Sequence, residues 1–114
     1  MSAVITLKSR FDYDRVYRNG RSCANRILIM YMMPNGTAYD RYGLVVSKKV
    51  GNSVIRHRAR RLMKESVRLT GRISDKGFDI ILIARPDIRD KKMSDVDEAF
   101  HHLLTVMRRK KPGR

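Results

Sequence analysis

The sequence predicts an α+β fold in which one β-sheet packs against a few helices, in the order helix, strands, helix, strand, helix. Two observations indicate this. Segments with apolar residues at helical spacing alternate with short apolar runs rich in β-branched and aromatic residues. Gly, Pro and Asn stand between these segments. At 114 residues the chain has room for one core and not two, so residues 1–114 are predicted to form a single domain.

The first predicted helix spans about residues 10 to 19. Ser9 followed by Asp12 is typical of a capping box, and Gly20 stands where a helix would end. Residues close to helical spacing in this segment are Phe11, Tyr13, Val16 and Tyr17.

Three apolar runs predict strands. The run ILIMYMM begins after Arg26 and ends in the turn sequence Pro-Asn-Gly at 34–36. Tyr42–Ser47 is the second run, which we expect to form a hairpin with the first, and Phe78–Ala84 is the third. We expect helices to cover one face of this sheet.

A strongly basic helix is predicted between the second and third runs. Asn52 or Ser53 can cap it, and it extends to about Thr70 before Gly71 ends it. Helical spacing places an apolar side opposite a basic side. The apolar side holds Ile55, Ala59, Leu62, Ser66 and Leu69, and the basic side holds Arg56, Arg60, Arg61, Lys64 and Arg68. No Asp or Glu interrupts residues 48–64, whereas surface helices that face only water usually mix both signs.

The last predicted helix begins at Ser94, with Asp97 completing a second capping box. The chain ends in RRKKPGR, residues 108–114, a basic tail that we expect to be mobile. The apolar stripe of the helix consists of Val96, Phe100, Leu103, Leu104 and Met107.

Charge indicates the class of partner. Twenty-six Lys and Arg against eleven Asp and Glu give a net charge of +15, which repels itself unless a polyanion is present. Nucleic acid is the first candidate, because neutralised phosphates release condensed counterions. An anionic membrane surface is an alternative, but it would need the apolar face of the basic helix, which the predicted core also needs. No segment approaches the roughly 18 apolar residues of a membrane span.

The sequence offers little for catalysis by the protein alone. Cys23 is the only cysteine, which excludes an internal disulfide and a cysteine metal cluster and fits a reducing compartment. His101 and His102 are adjacent, so on a helix they point about 100° apart, and His57 stands among arginines that disfavour a bound cation. The acids at 87–98 suit a helix start. We therefore predict no catalytic residue and no metal site in the protein.

Three tyrosines leave two interpretations open. Tyr13 and Tyr17 are four residues apart on the first helix, and Tyr31 lies in the first apolar run. Spacing alone favours packing in the core. If the rings are exposed beside a basic surface, they would instead stack on bases of a single strand.

Three segments together resemble the protein subunit of bacterial ribonuclease P. The opening helix and first strand of that family resemble LKSRFDYDRVYRNGRSCANR. Its basic helix resembles GLVVSKKVGNSVIRHRARRLMKESVR, and its last strand resembles FDIILIAR. The family's usual Arg-Asn-Arg is Arg56, His57 and Arg58 here; His, like Asn, can both donate and accept hydrogen bonds.

The resemblance implies the fold. The element order would be α-β-β-β-α-β-α, in a single two-layer α/β sandwich like the second domain of a small-subunit ribosomal protein. The crossover through the basic helix would be left-handed, although the general rule for parallel strands is right-handed.

The resemblance also implies the function. The chain would be the protein component of ribonuclease P, an endoribonuclease whose RNA hydrolyses the bond between the 5′ leader and precursor tRNA. Magnesium would be held mainly by that RNA, and the +15 chain would lower the demand for it by screening the repulsion between the two RNAs. Its partners would be ribonuclease P RNA and precursor tRNA in the cytoplasm, with no membrane and no further protein.

Site residues carry over by position. The leader would lie against Tyr13, Tyr17 and Tyr31. The alternative function for the whole chain is that of a structural RNA-binding protein of the ribosome. Such a protein should not distinguish precursor from mature tRNA. Contacts with the catalytic RNA would come from Lys48, Lys49, Arg56, His57, Arg58, Arg60, Arg61, Lys64 and Arg68.

Overall fold

The computed structural model describes residues 5–70 and 77–109. Its order of elements agrees with the order that the family resemblance implies. In chain order they are α1 (Arg10–Asn19), β1 (Arg21–Ala24), β2 (Leu28–Pro34), β3 (Arg41–Val45), α2 (Ser53–Thr70), β4 (Phe78–Ala84), a 3₁₀ segment (Pro86–Asp90) and α3 (Met93–Arg109).

The four strands form one mixed sheet in the order β1-β2-β4-β3. Strand β2 is antiparallel to β1 and β4, and α2 connects β3 to its parallel neighbour β4. The predicted hairpin between β2 and β3 is therefore wrong, because β4 lies between them. Strands β2 and β4 carry the longest apolar runs, and a strand covered on both faces takes a central place in a sheet.

Alternate strand residues divide the core between the two faces of the sheet. One face lies beneath α2 and α3, which gives the predicted two-layer sandwich. On the opposite face, Val16 of α1 packs with Leu7 and Ile81, so α1 covers part of a face that the sequence pattern left open. The buried strand residues beneath α2 and α3 include Leu28, Met30, Ile80 and Leu82.

Helix α2 begins with a side-chain cap from Asn52, whose Oδ1 accepts the Ile55 N–H at 3.0 Å. The prediction that Leu69 packs in the core is wrong, because it is 50% exposed. The buried stripe is rotated toward Met63 and Val67, since α2 packs against α3 as well as the sheet. The predicted stop at residue 71 lies outside the described residues.

The other two helices differ in how well their caps were predicted. Ser9 Oγ accepts the Asp12 N–H at 3.1 Å, as predicted. At α3 the predicted box of Ser94 and Asp97 is wrong, because the helix begins one residue earlier and Asp95 Oδ2 accepts the Lys92 N–H at 3.0 Å. Asp97 instead accepts a hydrogen bond from the Ser66 hydroxyl of α2.

The apolar stripe of α3 is buried as predicted. Arg108 and Arg109, the first residues of the predicted tail, are the last residues of the helix. The remainder of that tail, 110–114, lies outside the described residues.

Asp79 of β4 is the one fully buried carboxylate among the described residues. Arg41 donates to it from Nε and Nη2 at 2.8 and 2.7 Å, Arg15 of α1 donates at 2.8 Å, and Asn35 donates at 2.9 Å. Burial alone would raise the pKa of Asp79, but the hydrogen bonds from Arg41, Asn35 and Arg15 hold that pKa below its usual value. The ionised carboxylate therefore joins α1, β3 and the turn after β2.

We expect Asp79→Asn to lower the free energy of unfolding at neutral pH by about 2–4 kcal/mol, because Arg15 and Arg41 lose their hydrogen-bonded carboxylate. They keep only the longer ion pairs with Asp12, at 3.9 and 3.7 Å. Arg15 and Arg41 remain partly hydrated, which keeps the loss below that of a fully enclosed pair. Urea unfolding measures this loss. The matched control is Asp14→Asn, since Asp14 and Arg10 form an exposed pair at 3.9 Å that should change stability by less than about 0.5 kcal/mol.

The native protein and Asp79→Asn also give a test that depends on pH. Because the pKa of Asp79 is depressed in the folded state, its contribution is present above the unfolded value of about 4 and is lost as the pH falls through the folded value. The difference in the free energy of unfolding between the native chain and Asp79→Asn should therefore become smaller below about pH 4. A gap of the same size at low and neutral pH would contradict this account of Asp79.

Candidate RNA interface

The basic residues of α2 form a curved surface with two flanks. On one flank, Arg60 Nη1 donates to the carbonyl oxygen of Leu44 in β3 at 2.8 Å. On the other, Arg58 Nη2 donates to the carbonyl oxygen of Lys91 at 2.7 Å, beyond the 3₁₀ segment. These bonds hold both guanidinium groups against the fold with other N–H groups still available. The other exposed side chains are Lys64 on the flank of Arg60, and His57 and Arg61 on the flank of Arg58.

The turn before α2 extends this surface. Lys48 and Lys49 are both exposed there, and the Lys49 N–H donates to Ser47 Oγ at 3.3 Å. Arg56 is half-buried, and its Nε donates to the carbonyl oxygen of Gly51 at 3.2 Å. Arg56 therefore supports the turn and contributes less free charge than its neighbours do.

Arg68 differs from the other predicted contacts. It forms an ion pair with Glu65 one turn earlier on α2. The hydrogen bond from Arg68 lowers the pKa of Glu65, and the same bond raises the pKa of Arg68. Because this charge is already partnered, we define the basic surface of α2 as the exposed cations from Lys48 to Lys64.

Tyr13, Tyr17 and Tyr31 lie together on the sheet face that α1 partly covers, and we call them the tyrosine cleft. The rings of Tyr17 and Tyr31 meet edge to face, with centroids 5.0 Å apart and an interplanar angle of 87°. The Tyr13 ring lies against Gly43 of β3, where a Cβ would stand 2.7 Å from the ring. A residue without a side chain at this position makes room for Tyr13.

The three tyrosines are partly packed against the core and partly exposed, so each of the two interpretations of the sequence describes part of the tyrosine cleft. Tyr13 and Tyr31 are half-buried against the small core of Val16 and Ile81, whereas Tyr17 is 38% exposed. Burial raises the pKa of Tyr17, with further contributions from Tyr13 and Tyr31, so its hydroxyl is neutral at physiological pH. The cleft therefore offers uncharged aromatic surface beside a cationic helix.

The histidines occupy structural or surface positions. His101 Nε2 lies 3.0 Å from Thr70 Oγ1, and His102 Nδ1 lies 3.2 Å from the side-chain nitrogen of Asn25. His57 is exposed on α2. Within 5–70 and 77–109 no group of three or more His, Cys, Asp or Glu side chains is placed to hold a metal ion. No helix in those ranges is long and apolar enough to cross a membrane.

Sequence reasoning missed two residues that shape the interface, Asp79 and Gly43. A signal for Asp79 was present, because a single acid inside the apolar run FDIILIA must be buried with a cationic partner. Gly43 gave no comparable signal, since nothing in the local sequence tells which ring approaches it.

Comparisons with known proteins identify the family of the chain. A family model described as Ribonuclease P matches residues 1–108. The ribonuclease P protein component of Lachnoclostridium phytofermentans is 46% identical over 101 residues, which cover 89% of this chain and 87% of the relative. That of Alkaliphilus metalliredigens is 45% identical over 102 residues, covering 90% and 92%.

Solved structures show the same similarity in three dimensions. The RNase P protein of Staphylococcus aureus matches with a TM-score of 0.81 and 31% identity, covering 91% of this chain and 95% of that one. The RNase P protein of Thermotoga maritima matches with a TM-score of 0.79 and 27% identity, covering 93% and 97%. The chain thus belongs to the ribonuclease P protein family, as the protein subunit of an endoribonuclease with a role in processing the 5′ leader of tRNA.

Proposed function

We propose that the basic surface of α2 binds the RNA of ribonuclease P and that the tyrosine cleft binds the 5′ leader of precursor tRNA. The observation that carries this proposal is the adjacency of the two surfaces across β3. Gly43, against which the Tyr13 ring lies, is followed directly by Leu44, whose carbonyl oxygen holds Arg60. Two RNAs bound there would approach each other on either side of one strand.

The chemistry of each surface suits a different kind of RNA. A curved row of Arg and Lys neutralises the phosphates of a folded RNA without reading its sequence. Tyrosine rings stack on any unpaired base, so they tolerate the sequence differences expected among leaders. The protein would thus distinguish precursor from mature tRNA by the presence of the single strand, which a ribosomal RNA-binding protein would not do.

Under this proposal the protein binds and orients, and the RNA hydrolyses the phosphodiester bond. Magnesium would be held mainly by the RNA, whose phosphate oxygens are the hard ligands that this ion prefers. The net charge of +15 would lower the magnesium that the reaction needs, since it screens the repulsion between two sets of phosphates. The proposal places the assembly in the cytoplasm and requires no further protein partner.

We expect Tyr17→Ala to weaken binding of precursor tRNA to the reconstituted enzyme by about 1–3 kcal/mol, as the loss of one stacked base would. Binding of mature tRNA should stay unchanged, because mature tRNA has no leader. Equilibrium titration of labelled precursor and mature tRNA measures both values. The ring of Tyr17 is partly exposed, so the fold should survive its removal.

Phe11 provides the matched control for Tyr17. It lies on the same helix, is 72% exposed and takes part in none of the ring contacts found among the described residues. Phe11→Ala should leave precursor binding within about twofold. Equal losses for the two variants would mean that any exposed ring on α1 suffices, and the assignment of the cleft would be wrong.

We expect Arg61→Gln to weaken binding of the protein to ribonuclease P RNA and to lower the slope of log affinity against log salt by about 0.9, as one lost contact with a structured RNA would. Arg61 is exposed on α2 and forms none of the ion pairs found among the described residues. Titrations at several salt concentrations give the slope.

The control for Arg61 is Arg26→Gln. Arg26 is also exposed, but it borders a cavity in which three carboxylates outnumber the one other Lys or Arg, Lys91. The carboxylates are those of Asp87, Asp95 and Glu98. An acidic neighbourhood of this kind is unfavourable for RNA, so Arg26→Gln should leave the salt slope unchanged. If both substitutions change the slope equally, RNA binding depends on net charge and not on the surface of α2.

A further inference from the structure

A small cavity lies where the tyrosine cleft and the basic surface of α2 meet. Its volume is about 200 Å³, below the range of about 300–1,000 Å³ of pockets that enclose whole small molecules. It therefore suits a group of the size of a phosphate with part of its sugar. The residues that line it are Thr6, Tyr13, Tyr42, Leu44, Arg60 and Lys64.

Two cations, Arg60 and Lys64, line this cavity, and none of the described residues that line it carries a carboxylate. Arg60 and Lys64 are four residues apart on α2, so they lie on one side of the helix, where like charges destabilise each other. Neither takes part in any ion pair within the described ranges. An anion between them would remove this repulsion.

One donor of the cavity, Arg60, is oriented before any ligand arrives. The bond from Arg60 to the carbonyl oxygen of Leu44 uses one N–H group of the guanidinium and leaves four. Thr6 adds a hydroxyl group, and its backbone lies beside Tyr42 at the edge of β3. A phosphate oxygen accepts from all three kinds of donor: guanidinium, ammonium and hydroxyl.

The position of the cavity indicates which RNA supplies the phosphate. Tyr13 belongs both to the tyrosine cleft and to the cavity wall, so the backbone of a strand stacked in the cleft would pass the cavity. The opposite flank of α2, with Arg58 and Arg61, borders a separate open groove next to Val54. A folded RNA bound along that flank would reach Arg61 before it reached Lys64.

We propose that this cavity binds a backbone phosphate of the 5′ leader, so that Arg60 and Lys64 contact the precursor whereas Arg58 and Arg61 contact the catalytic RNA. This inference rests on the proposed function and divides its basic surface between the two RNAs. The sequence analysis had assigned all four cations to the catalytic RNA.

The test compares Lys64→Gln and Arg60→Gln/Lys64→Gln with Arg61→Gln, the same chemical change on the other flank. The first two variants should weaken binding of precursor tRNA to the reconstituted enzyme, about tenfold for the double variant. Their salt slope for precursor should fall by about 0.7 for each cation, the value for a single strand. Affinity for ribonuclease P RNA should stay within about twofold, and Arg61→Gln should show the opposite pattern.

A single neutral methylphosphonate linkage, moved stepwise along the leader, locates the contact. At one position the neutral linkage should weaken binding to the native enzyme and have little further effect on the Lys64→Gln enzyme. The side chain of Lys64 is exposed and forms none of the side-chain hydrogen bonds found in the described part of the chain, so its substitution tests the contact without loss of the fold.

The outcomes separate the inference from the proposed function. If the native enzyme prefers precursor to mature tRNA but Lys64→Gln loses affinity only for the catalytic RNA, the inference is wrong and the proposed function stands. The inference is also overturned if no leader position becomes insensitive in the variant. If the native enzyme shows no preference for precursor, the proposed function itself fails.

Discussion

The buried carboxylate of Asp79 is the constraint on which both RNA surfaces depend. It binds Arg15 of α1, Arg41 of β3 and Asn35 in one cluster of hydrogen bonds. Arg15 fixes where α1 crosses the sheet and hence where Tyr13 and Tyr17 lie. Arg41 fixes the position of β3, which contacts the Tyr13 ring at Gly43 and accepts a hydrogen bond from Arg60 at Leu44. Relative to an apolar replacement of all its members, a buried ion pair contributes little net stability, although removing one partner is costly. We therefore infer that this cluster serves to select one arrangement of the three segments.

Helix α2 packs in the core on one side and carries many cations on the other. Its buried stripe, with Ala59, Met63 and Val67, packs between the sheet and α3, and that packing supplies the apolar burial that offsets self-repulsion. The remaining arc is free to carry charge because backbone carbonyl groups at both flanks accept from Arg58 and Arg60. Fold stability and RNA affinity therefore belong to different sides of the same helix.

Most of the fold could be predicted from sequence, because local patterns determined it. Ser9 capped α1 and the apolar stripe of α3 was buried as predicted, since caps and helical spacing depend on near neighbours. Pairing of β2 with β4 could not be predicted from the apolar runs, because it depends on contacts between segments far apart in the chain. Leu69 was misplaced for a similar reason, since packing against α3 rotated the buried stripe. At the site, the residue types predicted RNA binding. The contact of Tyr13 with Gly43 and the division of α2 into two flanks could be seen only in the structure, because both depend on residues far apart in the chain.

The most direct test of the account is cleavage of the leader from a precursor tRNA by the matching ribonuclease P RNA at low magnesium, with and without this protein. The account predicts cleavage only when RNA and protein are both present, and none by the protein alone, at a magnesium concentration where the RNA alone is inactive. Cleavage by the protein without RNA would contradict the claim that it holds no catalytic site. A folded protein that binds the RNA and gives no stimulation would contradict its role as the subunit that brings the two RNAs together.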